Sequence, residues 1–202
     1  KLMVNAGGDW EYLCEIANIE RDSVSLRVLE GRQETRELPV SITLYQGLPK
    51  AEKMELIVQK AVELGAAAIV PVEMHRSVVR LDEKKAAVKQ KRWQAIAEAA
   101  AKQAGRSVIP EVSLPLSFKE ALRRVEAEGT ERRLLPYERA AGMAATRDLI
   151  RSVKAGQRVA VMIGPEGGFE ETEVEAAEAE GFHALTLGKR ILRTETAGLV
   201  ML

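Results

Sequence analysis

Val159-Ala-Val-Met-Ile-Gly164-Pro165-Glu166-Gly167-Gly168-Phe169, followed by Glu170-Glu-Thr-Glu-Val-Glu175, is the stretch that decides the fold. Its five apolar residues read as a strand buried on both faces, the kind found inside a parallel sheet. A glycine-rich turn follows. The acidic segment after it reads as a helix over about 171–180, with its carboxylates at the favourable end of the helix dipole. Strand, turn and helix in this order make half of a β-α-β unit.

The same succession recurs on both sides. Upstream, Ile42-Thr-Leu-Tyr-Gln-Gly-Leu48 reads as a strand, and Met54, Ile57, Val58, Ala61 and Leu64 then fall at helical spacing before Gly65. Ala66-Ala-Ala-Ile-Val-Pro-Val72 is the next strand, and an Ala-rich helix spans about 82–104, with Gly105 after it. Val108-Ile-Pro-Glu-Val112 and Arg133-Leu-Leu-Pro-Tyr137 read as short strands, with helices near 117–128 and 141–153. Downstream, Ala184-Leu-Thr-Leu187 is a last strand, and a helix begins near Thr194, which is placed to cap it. The alternation predicts an α/β fold with a mostly parallel sheet. Residues 10–44 differ. Trp10–Ile19 alternates loosely, and Val24, Leu26 and Val28 fall on one face of a second strand after a turn at Arg21-Asp22. Two hairpin strands cannot fold alone, and the chain opens abruptly, so the first strands of a small β domain are expected to be missing.

Two strand ends carry the candidate chemistry. At Gly164-Pro-Glu-Gly-Gly168, glycines let a ligand approach the backbone closely, and open α/β sheets place ligands beyond the carboxyl ends of their strands. No Gly-Lys-Ser/Thr follows and no Gly-x-Gly-x-x-Gly is present, so the loop is neither a P-loop nor a dinucleotide fingerprint. An ordinary tight turn and a ligand cradle both remain open for it. The second strand end is Leu187-Gly-Lys-Arg-Ile-Leu-Arg-Thr-Glu-Thr-Ala197. There Arg193 and Glu195 read either as a surface ion pair or as groups acting on a substrate.

Composition narrows the classes. The chain has 202 residues, 46% hydrophobic, with 30 Lys+Arg balancing 30 Asp+Glu. No apolar run is long enough to span a bilayer, and the N-terminus lacks a signal-peptide core. One cysteine, Cys14, and two histidines, His75 and His183, leave no disulfide and make a metal site unexpected. A cytoplasmic protein without membrane or metal partners is expected. The charge is uneven: residues 1–44 are net −3, 45–110 net +5, 111–158 net +3 and 159–202 net −5. The basic middle suits phosphate, although a solvated charged face would look the same. Cys14 and Trp93 read as core residues.

Six segments now come together in one order: Leu48-Pro-Lys50-x-x-Lys53-Met54, Gln59-Lys60-Ala-x-Glu63-Leu-Gly65, Arg76-Ser-Val78, Gln103-x-Gly-Arg106, Ile163-Gly-Pro-Glu-Gly-Gly-Phe169 and Leu187-Gly-x-Arg-Ile-Leu-Arg-Thr-Glu-Thr-Ala197. Together they resemble the bacterial 16S rRNA uridine-N3 methyltransferase family, ribosomal RNA small subunit methyltransferase E, of the SPOUT superfamily. Ala104 departs from the family's more usual Ser or Cys. The family's first β-domain strands and much of its last helix are also not matched. The resemblance implies a SPOUT-type α/β domain over 41–202 with a C-terminal trefoil knot near 161–202, preceded over 1–40 by part of a PUA-like RNA-binding β-barrel. It implies S-adenosylmethionine (SAM) as cofactor, held by Leu135, Ile163, Gly164, Pro165, Glu166, Gly167, Gly168, Leu187, Gly188, Ile191, Leu192 and Thr196. It implies a homodimer acting on 16S rRNA in the small ribosomal subunit or its precursor, with Lys50, Lys53, Arg76 and Arg106 on phosphates. Arg193 is the candidate to stabilise the uracil carbonyls, and Glu195 the candidate base or the group that orients Arg193. Two other readings are a non-catalytic RNA-binding or ribosome-assembly protein and a SPOUT ribose 2′-O-methyltransferase.

Overall fold

A computed structural model describes residues 1–5, 10–33, 36–140 and 142–202. The chain forms β1 (Leu2–Asn5), β2 (Trp10–Ile19), β3 (Val24–Gln33), β4 (Ser41–Gly47), α1 (Lys53–Glu63), β5 (Ala68–Glu73), α2 (Glu83–Ala104), β6 (Glu111–Val112), β7 (Leu116–Ser117) and α3 (Phe118–Ala127). It continues with β8 (Arg132–Pro136), α4 (Met143–Arg151), β9 (Arg158–Ile163), α5 (Glu171–Ala179), β10 (His183–Leu185) and α6 (Thr194–Met201). The α/β expectation holds: strands β4 to β10 build one parallel sheet in the order β10-β8-β9-β4-β5-β6, and β7 also pairs with β5.

Period-2 alternation sends side chains to two cores. Leu44, Ile69, Leu134, Val159, Val161 and Ile163 face one cluster with Ile57 and Val58 of α1 and Trp93 and Ala97 of α2. Tyr45, Val70, Leu135, Ala160 and Met162 face the other, with Ala121 and Val125 of α3 and Val174 and Ala177 of α5. Helices therefore cover both faces of the sheet, which is why its strands read as continuous apolar runs. In α1 the buried stripe is Met54, Ile57, Val58, Ala61 and Val62. Leu64, expected on that stripe, lies past the last turn and is half-exposed. Asp82 caps α2 by accepting from the Lys85 N–H at 2.9 Å, and Gly105 ends it in the left-handed region at φ +67°. Ala141, the first residue of the expected fourth helix, lies outside the described residues.

The strands β1, β2 and β3 make a separate antiparallel sheet, to which β1 and its pairing with Glu11–Cys14 add a strand the sequence did not suggest. The alternation in β3 predicted one buried face, but every residue of that strand is exposed, Val24 and Val28 at more than half. Cys14 is buried, as read. The small sheet is anchored through Glu11, whose carboxylate accepts from Arg32 at 2.7 Å and pairs with Arg36 at 3.2 Å. Arg36 in turn donates to the Gly105 carbonyl at 2.9 Å, at the end of α2.

The end of the chain is tied back to the middle of the sheet by one hydroxyl. The Thr194 hydroxyl donates to the Gly164 carbonyl at 2.6 Å and accepts from the Gln46 side-chain amide at 2.8 Å. All three residues are buried. This corrects the expectation that Thr194 caps the helix. The cap position belongs to Arg193, with extended backbone and no side-chain cap bond, and Thr194 is the first helical residue. Facing inward, its hydroxyl bonds a loop carbonyl and a strand side chain instead of the helix N–H groups. Glycine makes the approach possible: a Cβ on Gly47 would lie 2.6 Å from the Pro165 nitrogen.

Thr194→Val keeps the shape but removes both bonds, leaving the buried Gly164 carbonyl without this donor. It is expected to cost about 1–3 kcal/mol, read as a lower urea midpoint at unchanged slope, whereas Thr194→Ser should recover most of the loss. Equal midpoints for Val and the parent would contradict the assignment.

Candidate functional site

Four parallel strands run out of the sheet on one side: β4 at Gly47, β8 at Pro136, β9 at Ile163 and β10 at Leu185. Around β9 the chain builds outward in two directions, to β5 and β6 on one hand and to β8 and β10 on the other. This is the topological switch point at which open α/β sheets form crevices. Two joined cavities lie there. The larger, about 450 Å³, is lined by the whole Ile163–Phe169 loop, by Pro136 and Glu138, by Ile191–Thr194, and by Lys53 and Ala197. The smaller, about 130 Å³, is bounded by Pro136–Glu138 and Thr186–Leu192. The larger falls in the size range of small-molecule and cofactor sites.

The first loop is held open by a set of bonds. The Gly168 N–H closes a turn on the Pro165 carbonyl at 2.9 Å, and Gly168 has φ +68°. Arg76, from the segment after β5, donates to the Gly167 carbonyl at 3.0 Å and to Glu170 at 2.8 Å. That contact raises the Arg76 pKa and holds the Glu170 carboxyl below the usual carboxylate range. A Cβ on Gly167 would stand 2.9 Å from the Arg76 Cβ, so this glycine serves packing inside the protein. Gly188 is the opposite case: at φ +109° it has no atom within 4 Å of where a Cβ would point, leaving room beside the backbone. The second loop is fixed by the Thr186 N–H on Thr146 at 3.2 Å and the Gly188 N–H on Thr186 at 3.2 Å.

Lys53 joins the two loops. Its ammonium sits 3.1 Å from Glu166 and 3.4 Å from Glu195, and a hydrogen bond to Glu166 raises its pKa. Glu166 also accepts from the Lys50 backbone N–H at 3.0 Å. Burial pushes the Glu166 carboxyl up, but the Glu166 and Lys50 N–H groups and the Lys53 ammonium together bring it below its ordinary value.

The residues singled out in the sequence separate into groups. Ile163, Gly164, Pro165, Glu166, Gly167, Gly168, Leu187, Gly188, Ile191 and Leu192 line the cavities, as does Arg193, which is exposed at the larger one. Leu135 is fully buried in the second core, and its neighbour Pro136 forms the wall. Thr196 is exposed on α6, outside both linings. Glu195 pairs with Lys53 and has no ion pair or hydrogen bond to Arg193. Lys50 is exposed. Arg106 departs from its expected phosphate contact. Its side chain is 4% exposed, paired with Glu37, and donates to the Val62 and Ala66 carbonyls at 3.0 and 2.8 Å, so it braces the end of α1. Glu138 was not singled out: it follows β8 by two residues and lines both cavities, but no motif marks it. Among the described residues no cluster of metal-binding side chains occurs.

Comparison with known proteins agrees with this geometry. A family model for an RNA methyltransferase domain matches residues 36–202. Ribosomal RNA small subunit methyltransferase E of Bacillus subtilis (strain 168) is 40% identical over 196 residues, covering 96% of this chain and 76% of that protein. Among solved structures, a ribosomal RNA small subunit methyltransferase E from Neisseria gonorrhoeae bound to S-adenosyl methionine superposes with TM-score 0.81 at 34% identity, covering 99% of this chain and 80% of that one. A protein from Legionella pneumophila in complex with bound SAM gives TM-score 0.81 at 32% identity, covering 98% and 79%. A crevice at the switch point of a parallel sheet, a family match over most of the chain and a relative at 40% identity have one reading: the chain belongs to the RNA methyltransferase family of ribosomal RNA small subunit methyltransferase E.

Proposed function

We propose that the protein transfers a methyl group from SAM to N3 of a uridine in 16S rRNA, acting on the small ribosomal subunit or its precursor. The observation that carries this reading is a glycine-lined cavity at the ends of β8 and β9, beside the end of β10, in a chain of this family. The residues fit the cofactor. Gly164, Gly168 and Gly188 bring bare backbone to the cavity walls, Ile163, Ile191 and Leu192 supply apolar surface, and a Cβ at Gly188 would enter free space. When bound, SAM supplies an electrophilic methyl group on a sulfonium.

The protein's own groups supply the rest. Uridine N3 must lose its proton, which passes to solvent in this reading, and the charge then spreads onto O2 and O4. Arg193, permanently protonated and offering planar paired donors, stands exposed at the cavity to hold that charge. Glu195, engaged with Lys53 at 3.4 Å and not with Arg193, acts as a positioning residue through Lys53 and is not the base in this reading. Lys50 contacts phosphate, whereas Lys53 and Arg76 are left out because Glu166 and Glu170 engage their charges, and Arg106 because it is buried. The reading further includes a PUA-like portion over 1–40, a knot near 161–202 and a homodimer. The knot is supported by the insertion of β9 between β4 and β8 and by the return of α6 to Gln46. The dimer is supported by Ile191 and Val200, which expose apolar surface beside the site.

Mass spectrometry of digested rRNA, after incubation of protein, SAM and unmethylated small subunits, should show 3-methyluridine. Methylated ribose or no product would overturn the proposal. Arg193→Lys should lose on the order of a hundredfold in single-turnover rate with SAM affinity held within a few-fold, and a near-normal rate would remove Arg193 from the mechanism. Glu195→Gln should slow the reaction by the same factor across pH. A deficit that vanishes at high pH, where uridine ionises unaided, would identify Glu195 as the base after all.

A further inference from the structure

The two cavities share a short boundary made by Pro136, Glu138, Ile191, Leu192 and Ala197. Glu138 is the charged member of that boundary. The other charged groups of the larger cavity are accounted for differently: Lys53 and Glu166 neutralise one another at 3.1 Å, and Arg193 is a cation at the mouth. Lys189 and Arg190 stand at the smaller cavity. Among the described residues, Glu138 makes no hydrogen bond and no ion pair. The cation whose charge it senses, Arg76, is already bonded to Glu170 and Gly167. Room for the carboxylate is built in, because a Cβ on Gly168 would stand 3.2 Å from Glu138 Oε1. A carboxylate kept without a partner at the junction of two ligand compartments is suited to a ligand that is positive in its middle.

We infer that Glu138 is a specificity residue that faces the sulfonium of SAM and favours the charged cofactor over its neutral-sulfur product, S-adenosylhomocysteine. The inference rests on the cofactor reading proposed above. SAM has a nucleoside at one end, an amino acid at the other and the sulfonium between them. Whichever end occupies the larger cavity, the middle lies at the boundary. Loss of the methyl group removes the sulfur's positive charge and leaves both ends unchanged. Glu138 therefore loses its partner when the reaction is complete, which weakens retention of the product. A contact to the amino group would not discriminate, since substrate and product carry the same ammonium.

Isothermal titration of the purified chain with SAM, with S-adenosylhomocysteine and with a SAM analogue bearing an amine in place of the sulfonium methyl tests this. Glu138→Gln should weaken SAM and the amine analogue by about fivefold, the upper end for an ion pair at an open site, and leave S-adenosylhomocysteine within twofold. Glu138→Asp should fall between. Because the side chain is exposed and unpaired, an unchanged melting temperature is expected and serves as the folding control. Equal weakening of all three ligands, or of none, would overturn the assignment. If the unaltered protein bound neither SAM nor its product, the cofactor reading itself would fail, and the inference with it.

Discussion

The constraint on which the rest depends is the position of β9. It is paired on both edges, to β4 and to β8, and apolar on both faces, so the chain leaving Ile163 emerges at the middle of the sheet. There the backbone has no room to wander. It must cross the end of β4 at Gly47, turn at once over Pro165 to Gly168, and hand its carbonyls to Arg76 and Thr194. The Gly164 carbonyl is buried, and a buried carbonyl without a donor is costly, so the bond from Thr194 is required once the strand is in place. The site follows from the sheet: the turn forced on the chain by β9 is the floor of the larger cavity.

The acidic C-terminal segment, net −5 over residues 159–202, at first argues against a partner as anionic as RNA. Several of its carboxylates have internal work. Glu166 binds Lys53 and the Lys50 backbone, Glu170 binds Arg76, and Glu173 accepts from the His75 N–H at 2.8 Å. Much of this negative charge stitches the loop to the segments following β4 and β5, and it is offset where it sits. The same bonds engage Arg76 and Lys53, two cations that the sequence offered to phosphate. Charge counts along a chain describe the partner surface poorly when the charges pair across the fold.

Local patterns were legible and distant pairings were not. The α1 stripe, the Asp82 and Gly105 ends of α2 and the buried run of β9 all follow from spacing within a few residues. The place of β9 between β4 and β8 does not, because strand order is a property of pairing partners far apart in sequence. The same holds for single residues. Arg106 looked like a phosphate ligand because its partner Glu37 lies 69 positions away. Thr194 looked like a cap because the sequence cannot show Gln46 and Gly164 arriving on its other side. The two glycine loops were found because strand, glycine and helix succeed one another locally. Glu138 was missed because its one signal is its place beyond the end of β8, and that acquires meaning only beside β10 and the second loop.

The bond from Gln46 to Thr194 spans 148 positions of chain. A ribosome adding about 5–20 residues per second exposes β4 roughly 7–30 s before its last partner has been made. Until then the Gln46 amide lacks its bond to Thr194, and the Gly164 carbonyl that has crossed Gly47 lacks its hydroxyl donor. Long-range closure of this kind is slow to form because its entropy is lost before any contact rewards it. The crevice beyond β4 is therefore closed only once α6, far from β4 along the chain, has been made.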